Sequence, residues 1–364
     1  MTGDFSPGQT SVNDGVSADM EWLFVLTIAT VVLVVVFDFT NGFHDASNIV
    51  ATVIASRAMS PRQAIALVAF FEFLGPLLGG TAVANTIGSF VHISHLPSSL
   101  SVEVVFCGVL AAITWNLTTW WLGIPSSSSH ALVGGLVGVV IVSAGPTHVV
   151  WGLAQLKEGH LTGVSKVLIA LILSPIAGFL VGFVIHRTMR FLLRGARPDV
   201  NRNLRRFQWL STAGLAFAHG ANDAQKSMGV LTLVLVLGGF LTEFHVPLWV
   251  ILICAAAITL GVLSGGWRIV KTVGFGIYRI QPLHAVDAQL TAGSVIFLAA
   301  MLGAPVSTTH VVSSSIMGIG ASERVRAVRW NKAKEIVAAW IITIPSVGLL
   351  AGVMFAAVRL LIPA

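Results

Sequence analysis

Phe39-Thr40-Asn41-Gly42-Phe43-His44-Asp45-Ala46 returns as Phe217-Ala218-His219-Gly220-Ala221-Asn222-Asp223-Ala224, and Pro125-Ser126-Ser127-Ser128-Ser129-His130 returns as Pro305-Val306-Ser307-Thr308-Thr309-His310. Asp45 precedes Asp223 by 178 positions and His130 precedes His310 by 180, so whole halves repeat rather than isolated words. The duplicated residues are polar and stand inside apolar sequence. In lipid such groups are costly, and doubled polar interruptions of hydrophobic segments point to a transporter whose substrate site lies between two structural repeats.

Composition places the chain in a bilayer independently of the motifs. Hydrophobic residues make up 55% of the 364 and charged residues only 10%, against about 25% charged in a typical soluble domain. Apolar stretches such as Trp22 to Phe37, Val104 to Ile113, Val167 to Ile185 and Ile336 to Val358 approach or exceed the roughly 20 residues that cross a ~30 Å hydrocarbon core. Residues 1–21 carry Asp4, Asp14, Asp19 and Glu21 without Lys or Arg. They read as a disordered acidic lead into a retained first helix rather than a signal peptide, which would begin with a basic segment. Cys107 and Cys254 stand alone in separate apolar segments and read as small core residues.

The net charge of +6 is informative through its placement. Arg57 and Arg62 follow the first apolar segment, and Arg187, Arg190, Arg194, Arg197, Arg202, Arg205 and Arg206 crowd the middle, whereas residues 92–101 and 238–247 carry no Lys or Arg. The positive-inside rule makes the first set cytoplasmic and the second external. Crossings near 22–56, 63–80, 103–121, 127–144 and 166–186 then start outside and end inside. Five is odd, so the second half enters with the opposite sense. The expected fold is an all-α integral membrane protein with about 10–12 transmembrane or re-entrant segments in two inverted-topology repeats, 22–186 and 207–364, joined by a basic cytoplasmic linker at 187–206. Both termini are expected outside. The Arg cluster reads as an orienting, lipid-touching element, and its shortage of interleaved aromatics argues against nucleic-acid binding.

The glycines of Asn41-Gly42 and His219-Gly220 suggest unwound helix, freeing backbone groups beside His44, Asp45 and Asn48 or Asn222, Asp223, Gln225 and Lys226. Asp45 and Asp223 are the leading cation-coupling candidates, because an isolated carboxylate at membrane depth must neutralise, pair or bind a cation. The Pro-Ser/Thr segments resemble helix starts, with hydroxyls that cap amides and a dipole that favours anions. Two opposed starts could enclose a tetrahedral oxyanion among Ser127, Ser128, Ser129, Ser307, Thr308 and Thr309. Glu72 could relay a proton or pair with an Arg, Lys226 could salt-bridge to Asp223 or add positive charge for the anion, and His130 and His310 read as hydrogen-bonded helix supports.

The four motifs, Asn41 to Asn48, His219 to Lys226 and the two Pro-Ser/Thr-His segments, resemble the PiT family of inorganic phosphate transporters, with the likeness running from Trp22 to the C-terminus and closest to bacterial low-affinity phosphate permeases. That resemblance implies phosphate cotransport across the plasma membrane, inverted repeats and a homodimer. Sodium-coupled members generally carry Asn-Asp in both repeats, whereas this chain has His44-Asp45 in the first and Asn222-Asp223 in the second. His takes up a proton near neutral pH and Asn offers a neutral oxygen to a hard cation. Proton coupling is therefore favoured, with phosphate carried alone or as a complex with Mg²⁺ or another divalent ion, and sodium coupling and sulfate transport stand as alternatives. An intramembrane hydrolase built on Ser129-His130 is the distant alternative. It would gain nothing from a second inverted copy, and the chain lacks a Gly-x-Ser-x-Gly elbow. No P-loop is present, which leaves an ion gradient as the energy source. No resident cofactor is expected, and the only cation expected on the protein is a coupling ion at Asp45 and Asp223.

Overall fold

A computed structural model describes residues 8–361 except 92, 94, 95 and 266; the side chains of residues 8–19, 267 and 268 are also outside the description. Among the described residues thirteen α-helices follow one another: α1 Gly8–Ala55, α2 Pro61–Leu78, α3 Ala82–Gly88, α4 Ser98–Leu122, α5 Ser128–Ser143, α6 Leu153–Lys157, α7 Gly163–Leu192, α8 Val200–Leu237, α9 Leu248–Ser264, α10 Trp267–Lys271, α11 Pro282–Met301, α12 Thr308–Arg324 and α13 Trp330–Leu361. Among the described residues, six helices are long and apolar enough to cross a membrane, or seven if the bent pair Leu248–Ser264 and Ile269–Gly276 forms one broken span. α8 has the length but carries the polar second motif, and α5 and α12 are shorter.

The first motif does not break its helix. No proline lies between Pro7 and Pro61, and α1 runs unbroken from Gly8, so residues 8–21, expected to be disordered, continue the helix; residues 1–7 of that lead lie outside the described residues. Nor is there a proline between Pro198 and Pro247, and α8 passes straight through Gly220. The basic stretch 187–206 is also largely helical, since 187–192 finish α7 and 200–206 begin α8.

The glycines serve close packing instead of unwinding. A Cβ on Gly42 would lie 2.1 Å from the carbonyl oxygen of Ile258 in α9, and one on Gly261 of α9 would lie 2.1 Å from that of Phe39 in α1. The other half repeats the arrangement: a Cβ on Gly220 would meet the oxygen of Glu72 at 2.3 Å, and one on Gly75 that of Phe217 at 2.4 Å. Thus α1 of the first half crosses α9 of the second, and α8 of the second crosses α2 of the first, each through a glycine from both partners. Further pairs match in the same crosswise sense, with α7 packed on α12 and α13 on α5.

This packing turns the usual arrangement of a soluble protein inside out. Large apolar side chains such as Phe24, Val32, Ile172, Leu180, Leu260, Ile341 and Leu349 face outward, while Asp38, Asp45, Glu72, His219, Asp223 and Lys226 are buried. Asp45 lies ten residues before the end of α1 and Asp223 fourteen before the end of α8, depths of about 15 and 21 Å at 1.5 Å per residue.

Gly42→Ala and Gly220→Ala each force backbone against backbone, and each is expected to cost at least the roughly 1–3 kcal/mol of an overpacked core. Thermal unfolding of the detergent-purified variants measures this, with Gly195→Ala, whose added carbon meets nothing within 4 Å, as the unaffected control.

Candidate functional site

The two Pro-Ser/Thr segments begin helices, and those beginnings meet. Ser127 is the N-cap of α5 and accepts a hydrogen bond from the His130 amide at 3.1 Å; Ser307 is the N-cap of α12 and accepts from the His310 amide at 3.3 Å. Pro125 and Pro305 stand two residues ahead of their caps rather than inside the first turn. Ser129 Oγ donates to the Val306 carbonyl at 3.0 Å, and the rings of His130 and His310 lie 4.5 Å apart. The caps hold the third amide of each helix. The leading amides at 128, 129, 308 and 309 have no partner within their own helices, which leaves two positive helix ends in one buried place.

Both motif carboxylates lie there as well. Asp45 accepts from Ser128 Oγ at 3.1 Å on one oxygen; on the other it accepts from Thr309 Oγ1 at 3.1 Å and Asn48 Nδ2 at 3.2 Å and pairs with His44 Nδ1 at 2.7 Å. Asp223 accepts from Lys226 Nζ at 2.6 Å and Thr308 Oγ1 at 3.3 Å. Lys226 also donates to Ser129 Oγ at 2.6 Å and to the Val306 carbonyl at 2.9 Å. Hydroxyls from both halves therefore converge on carboxylates from both halves, all nearly or fully buried.

His219 completes the centre and was not singled out by the sequence. Its Nδ1 pairs with Glu72 Oε1 at 2.8 Å, so the partner of Glu72 is a histidine and not the Arg expected as one of its two readings. Its Nε2 faces Asp223 Oδ2 at 3.5 Å without a hydrogen bond. Ligand atoms of Asp45, His219 and Asp223 lie within 4.8 Å of one another, so a cation placed among them would meet three buried ligands, one oriented from behind by a carboxylate. The signal for His219 was its position in the repeat, where it aligns with Asn41.

The remaining candidates separate. The Asn41 amide and the Asn48 and Asn222 side-chain oxygens are buried and make no hydrogen bond, while Asn222 Nδ2 donates to the Ala304 carbonyl at 3.2 Å. Gln225 is drawn away. Its Oε1 accepts from the Val83 amide at 2.8 Å, and its Nε2 donates to the carbonyls of Gly79 and Ala221, bracing the break between α2 and α3. His130 pairs through Nδ1 with Ser127 Oγ at 2.7 Å, and His310 stacks on Trp340 with ring centres 3.9 Å apart. Among the described residues no carboxylate bonds to His130, so Ser127 or Ser129 has no Ser-His-Asp relay.

Two features lie apart from the carboxylates. One cavity, of about 640 Å³, is walled by apolar side chains of α7, α12 and α13, with His130 and His310 among its lining. A second polar cluster ties α7, α11 and α12 together: His186 Nδ1 pairs with Asp287 at 2.7 Å, and Glu323 Oε2 accepts from Tyr278 at 2.8 Å and pairs with His284 at 2.5 Å. His284 Nδ1 also accepts the Gln281 amide at 3.1 Å, so its Nε2 keeps the proton given to Glu323, while His186 Nε2 and Asp287 Oδ1 are buried without a hydrogen bond.

Residues 41–351 match the model of the phosphate transporter family. The chain belongs to this family. It is 42% identical over 328 residues to a probable low-affinity inorganic phosphate transporter of Bacillus subtilis, covering 90% of this chain and 95% of that one. With a relative of the same description from Rhizobium meliloti it shares 39% over 344 residues, covering 94% and 99%. A solved structure described as the sodium-dependent phosphate transporter superposes with a TM-score of 0.80 at 23% identity, covering 93% of this chain and all of that one, which supports the fold. The protein is a phosphate transporter of many membrane passes, not an enzyme.

The pairings make the two carboxylates unequal in stability. Asp223→Asn strands the Lys226 ammonium, and is expected to cost about 3–5 kcal/mol. In Asp45→Asn the one amide oxygen still accepts from Thr309 and Asn48, and the new Nδ2 can donate to the Ser128 hydroxyl, so the loss is about 1 kcal/mol. Parallel thermal melts check the order, and Asp223→Asn combined with Lys226→Gln should recover much of the loss.

Proposed function

We propose that this transporter imports inorganic phosphate across the plasma membrane by cation symport, with protons as the favoured coupling ion. Phosphate sits between the starts of α5 and α12, held by hydroxyls of Ser128, Ser129, Thr308 and Thr309 and by the amides beside them, while Ser127 and Ser307 shape the two helix ends. The cation binds at Asp45 with Asn41, Asn48 and His44 around it, and Asn222 lines the second half. The carrying observation is that Ser128 and Thr309, one from each half, both donate to Asp45. Anion donors and cation acceptors thus share one pocket.

Coupling follows from that sharing. Two bare carboxylates would repel an incoming anion strongly in a low-dielectric site, so a proton or metal ion must occupy the Asp45 half for phosphate to bind well. By linkage, phosphate then tightens cation binding by the same factor. The pairing of His44 Nδ1 with Asp45 at 2.7 Å supports protons, since it joins two titratable groups beside the donors. The unbonded side-chain oxygens of Asn41 and Asn48 support the second reading, sodium, because they are neutral ligands suited to a hard cation.

The halves are proposed to be inverted in the membrane, with the basic stretch 187–206 cytoplasmic and both termini external. The working unit is a homodimer in contact with lipid.

Labelled phosphate uptake into proteoliposomes under separately imposed proton and sodium gradients, with and without Mg²⁺, tests the scheme. A proton gradient is expected to drive accumulation, and Asp45→Asn to abolish it. Accumulation by that variant equal to wild type would remove the carboxylate from coupling. Ser128→Ala and Thr308→Ala are each expected to weaken phosphate binding by about 1 kcal/mol or more, roughly fivefold or greater.

Selectivity against sulfate has a physical basis. Phosphate at neutral pH keeps a P–OH that can donate to Asp45, whereas sulfate would leave that acceptor unpaired. Sulfate is therefore expected to compete poorly, and equal inhibition by the two anions would exclude this argument.

A further inference from the structure

The two halves set the residue three after the motif Asp in the same bridging place, between that Asp and a hydroxyl of the other half, with its chemistry changed. In the first half, the residue three positions after the motif Asp is Asn48, whose Nδ2 lies 3.2 Å from Asp45 Oδ1 and 2.8 Å from Thr309 Oγ1 of the other half. In the second half the same position is Lys226, whose Nζ lies 2.6 Å from Asp223 Oδ1 and 2.6 Å from Ser129 Oγ of the other half. Asp45 corresponds to Asp223, Asn48 to Lys226 and Thr309 to Ser129 by the motif alignment. The residue three after the Asp is a neutral amide in one half and an ammonium in the other, and its hydroxyl partner donates to the Asp in the first half, as Thr309, and to the Val306 carbonyl in the second, as Ser129.

The consequences for an external cation are opposite. Asn48 leaves its carbonyl oxygen buried without a hydrogen bond, and neither end of the Asn41 amide has a partner, so the first half has two free carbonyl oxygens near Asp45 against the one of Asn222 in the second. Lys226 spends all three ammonium protons on Asp223, Ser129 and the Val306 carbonyl, and is 1% exposed. At Asp223 the charge that must be neutralised at membrane depth is already neutralised by a group the chain cannot release.

Resting on the transport reading above, we infer that Lys226 is a tethered cation that fills, in the second half, the place a mobile coupling cation takes in the first. The protein therefore carries one fewer mobile cation than a symmetric arrangement with Asn at both positions. Asp223 stays compensated in phosphate-bound and phosphate-free states alike, and only the Asp45 half changes charge during the cycle. Lys226 is thus a residue that sets cation number and ion specificity.

Lys226→Asn places the same amide in both halves and tests the inference. Purified wild type and variant are titrated calorimetrically with sodium chloride in a buffer free of other small cations, without phosphate. The variant is expected to bind one more sodium ion per chain than wild type, whether wild type binds none or one. In proteoliposomes its phosphate uptake is expected to gain a sodium stimulation of about tenfold, within the roughly 5–150-fold range of ordinary coupling energies. Lys226→Arg keeps the fixed charge and is expected to match the wild-type count, and Lys226→Met, which adds no oxygen, is expected to gain no sodium. An unchanged count in Lys226→Asn overturns the inference, as does an equal gain in Lys226→Met. Should Lys226→Asn fail to fold, the charge-balanced Asp223→Asn/Lys226→Asn variant decides: a sodium count equal to wild type supports the tethered cation, and a lower one overturns it. Because the count is read without phosphate, it separates this inference from the transport reading, which fails instead if wild type takes up no phosphate.

Discussion

Asp45 and Asp223 are brought within 4.8 Å of each other and of His219 inside a lipid-facing shell, and the rest of the molecule is arranged around that unfavourable proximity. At an effective dielectric of about 20, two full negative charges at that distance repel by roughly 3.5 kcal/mol, and more where water is excluded. The opposing terms are all on hand. Lys226 supplies one full positive charge, three hydroxyls donate to the carboxylates, and two helix N-termini add partial positive charge from opposite halves. Lys226 comes with Asp223 on α8, but Thr309 reaches Asp45 from the other half only through the crosswise packing.

That packing rests on glycine. Gly42 against Ile258, Gly261 against Phe39, Gly220 against Glu72 and Gly75 against Phe217 let helix backbones touch where any side chain would hold them apart. In a bilayer the apolar faces gain little from leaving lipid, so helix association depends on close van der Waals approach and on polar contacts between helices. The same crossing that packs α8 on α2 brings Glu72 to His219. Packing and site are thus one construction: the small residues let the helices meet, and the polar residues beside them are then buried together.

Much of this was legible in the residues. Repeated Ser/Thr-His segments meant helix starts because a hydroxyl cap is a local property, and both α5 and α12 begin there. Repeated carboxylates meant a shared centre because an unpaired acid in lipid is untenable, and Asp45 and Asp223 do converge. The glycines were misread because sequence shows conformational freedom but not the neighbour across the interface; Gly42 and Gly220 sit in unbroken helix, and their missing Cβ is used by another chain segment. Gln225 was misplaced for a similar reason, since its motif neighbours face the centre while its own amide is taken by Val83 and Gly79 of the α2–α3 break. His219 and Glu72 form a contact 147 positions apart that no local pattern announces. The His186, Asp287, His284 and Glu323 cluster is not repeated as a motif and so gave no signal.

The choice of neutral donors around the proposed anion position has a physical logic. A buried Arg pair would hold phosphate through full charges and charge-assisted hydrogen bonds, roughly twice as strong as neutral ones, and release would be correspondingly slow. Ser128, Ser129, Thr308 and Thr309 give weaker donors, and in the structure Ser128, Thr308 and Thr309 already donate to Asp45 or Asp223. An arriving phosphate exchanges one set of acceptors for another instead of meeting bare donors, which reduces the net gain on binding and the barrier to leaving. The ammonium in the pocket, that of Lys226, is turned toward Asp223, Ser129 and Val306. In the proposed symport such a pocket holds an anion weakly unless a second positive charge arrives with it, and that requirement would tie the movement of one ion to the other.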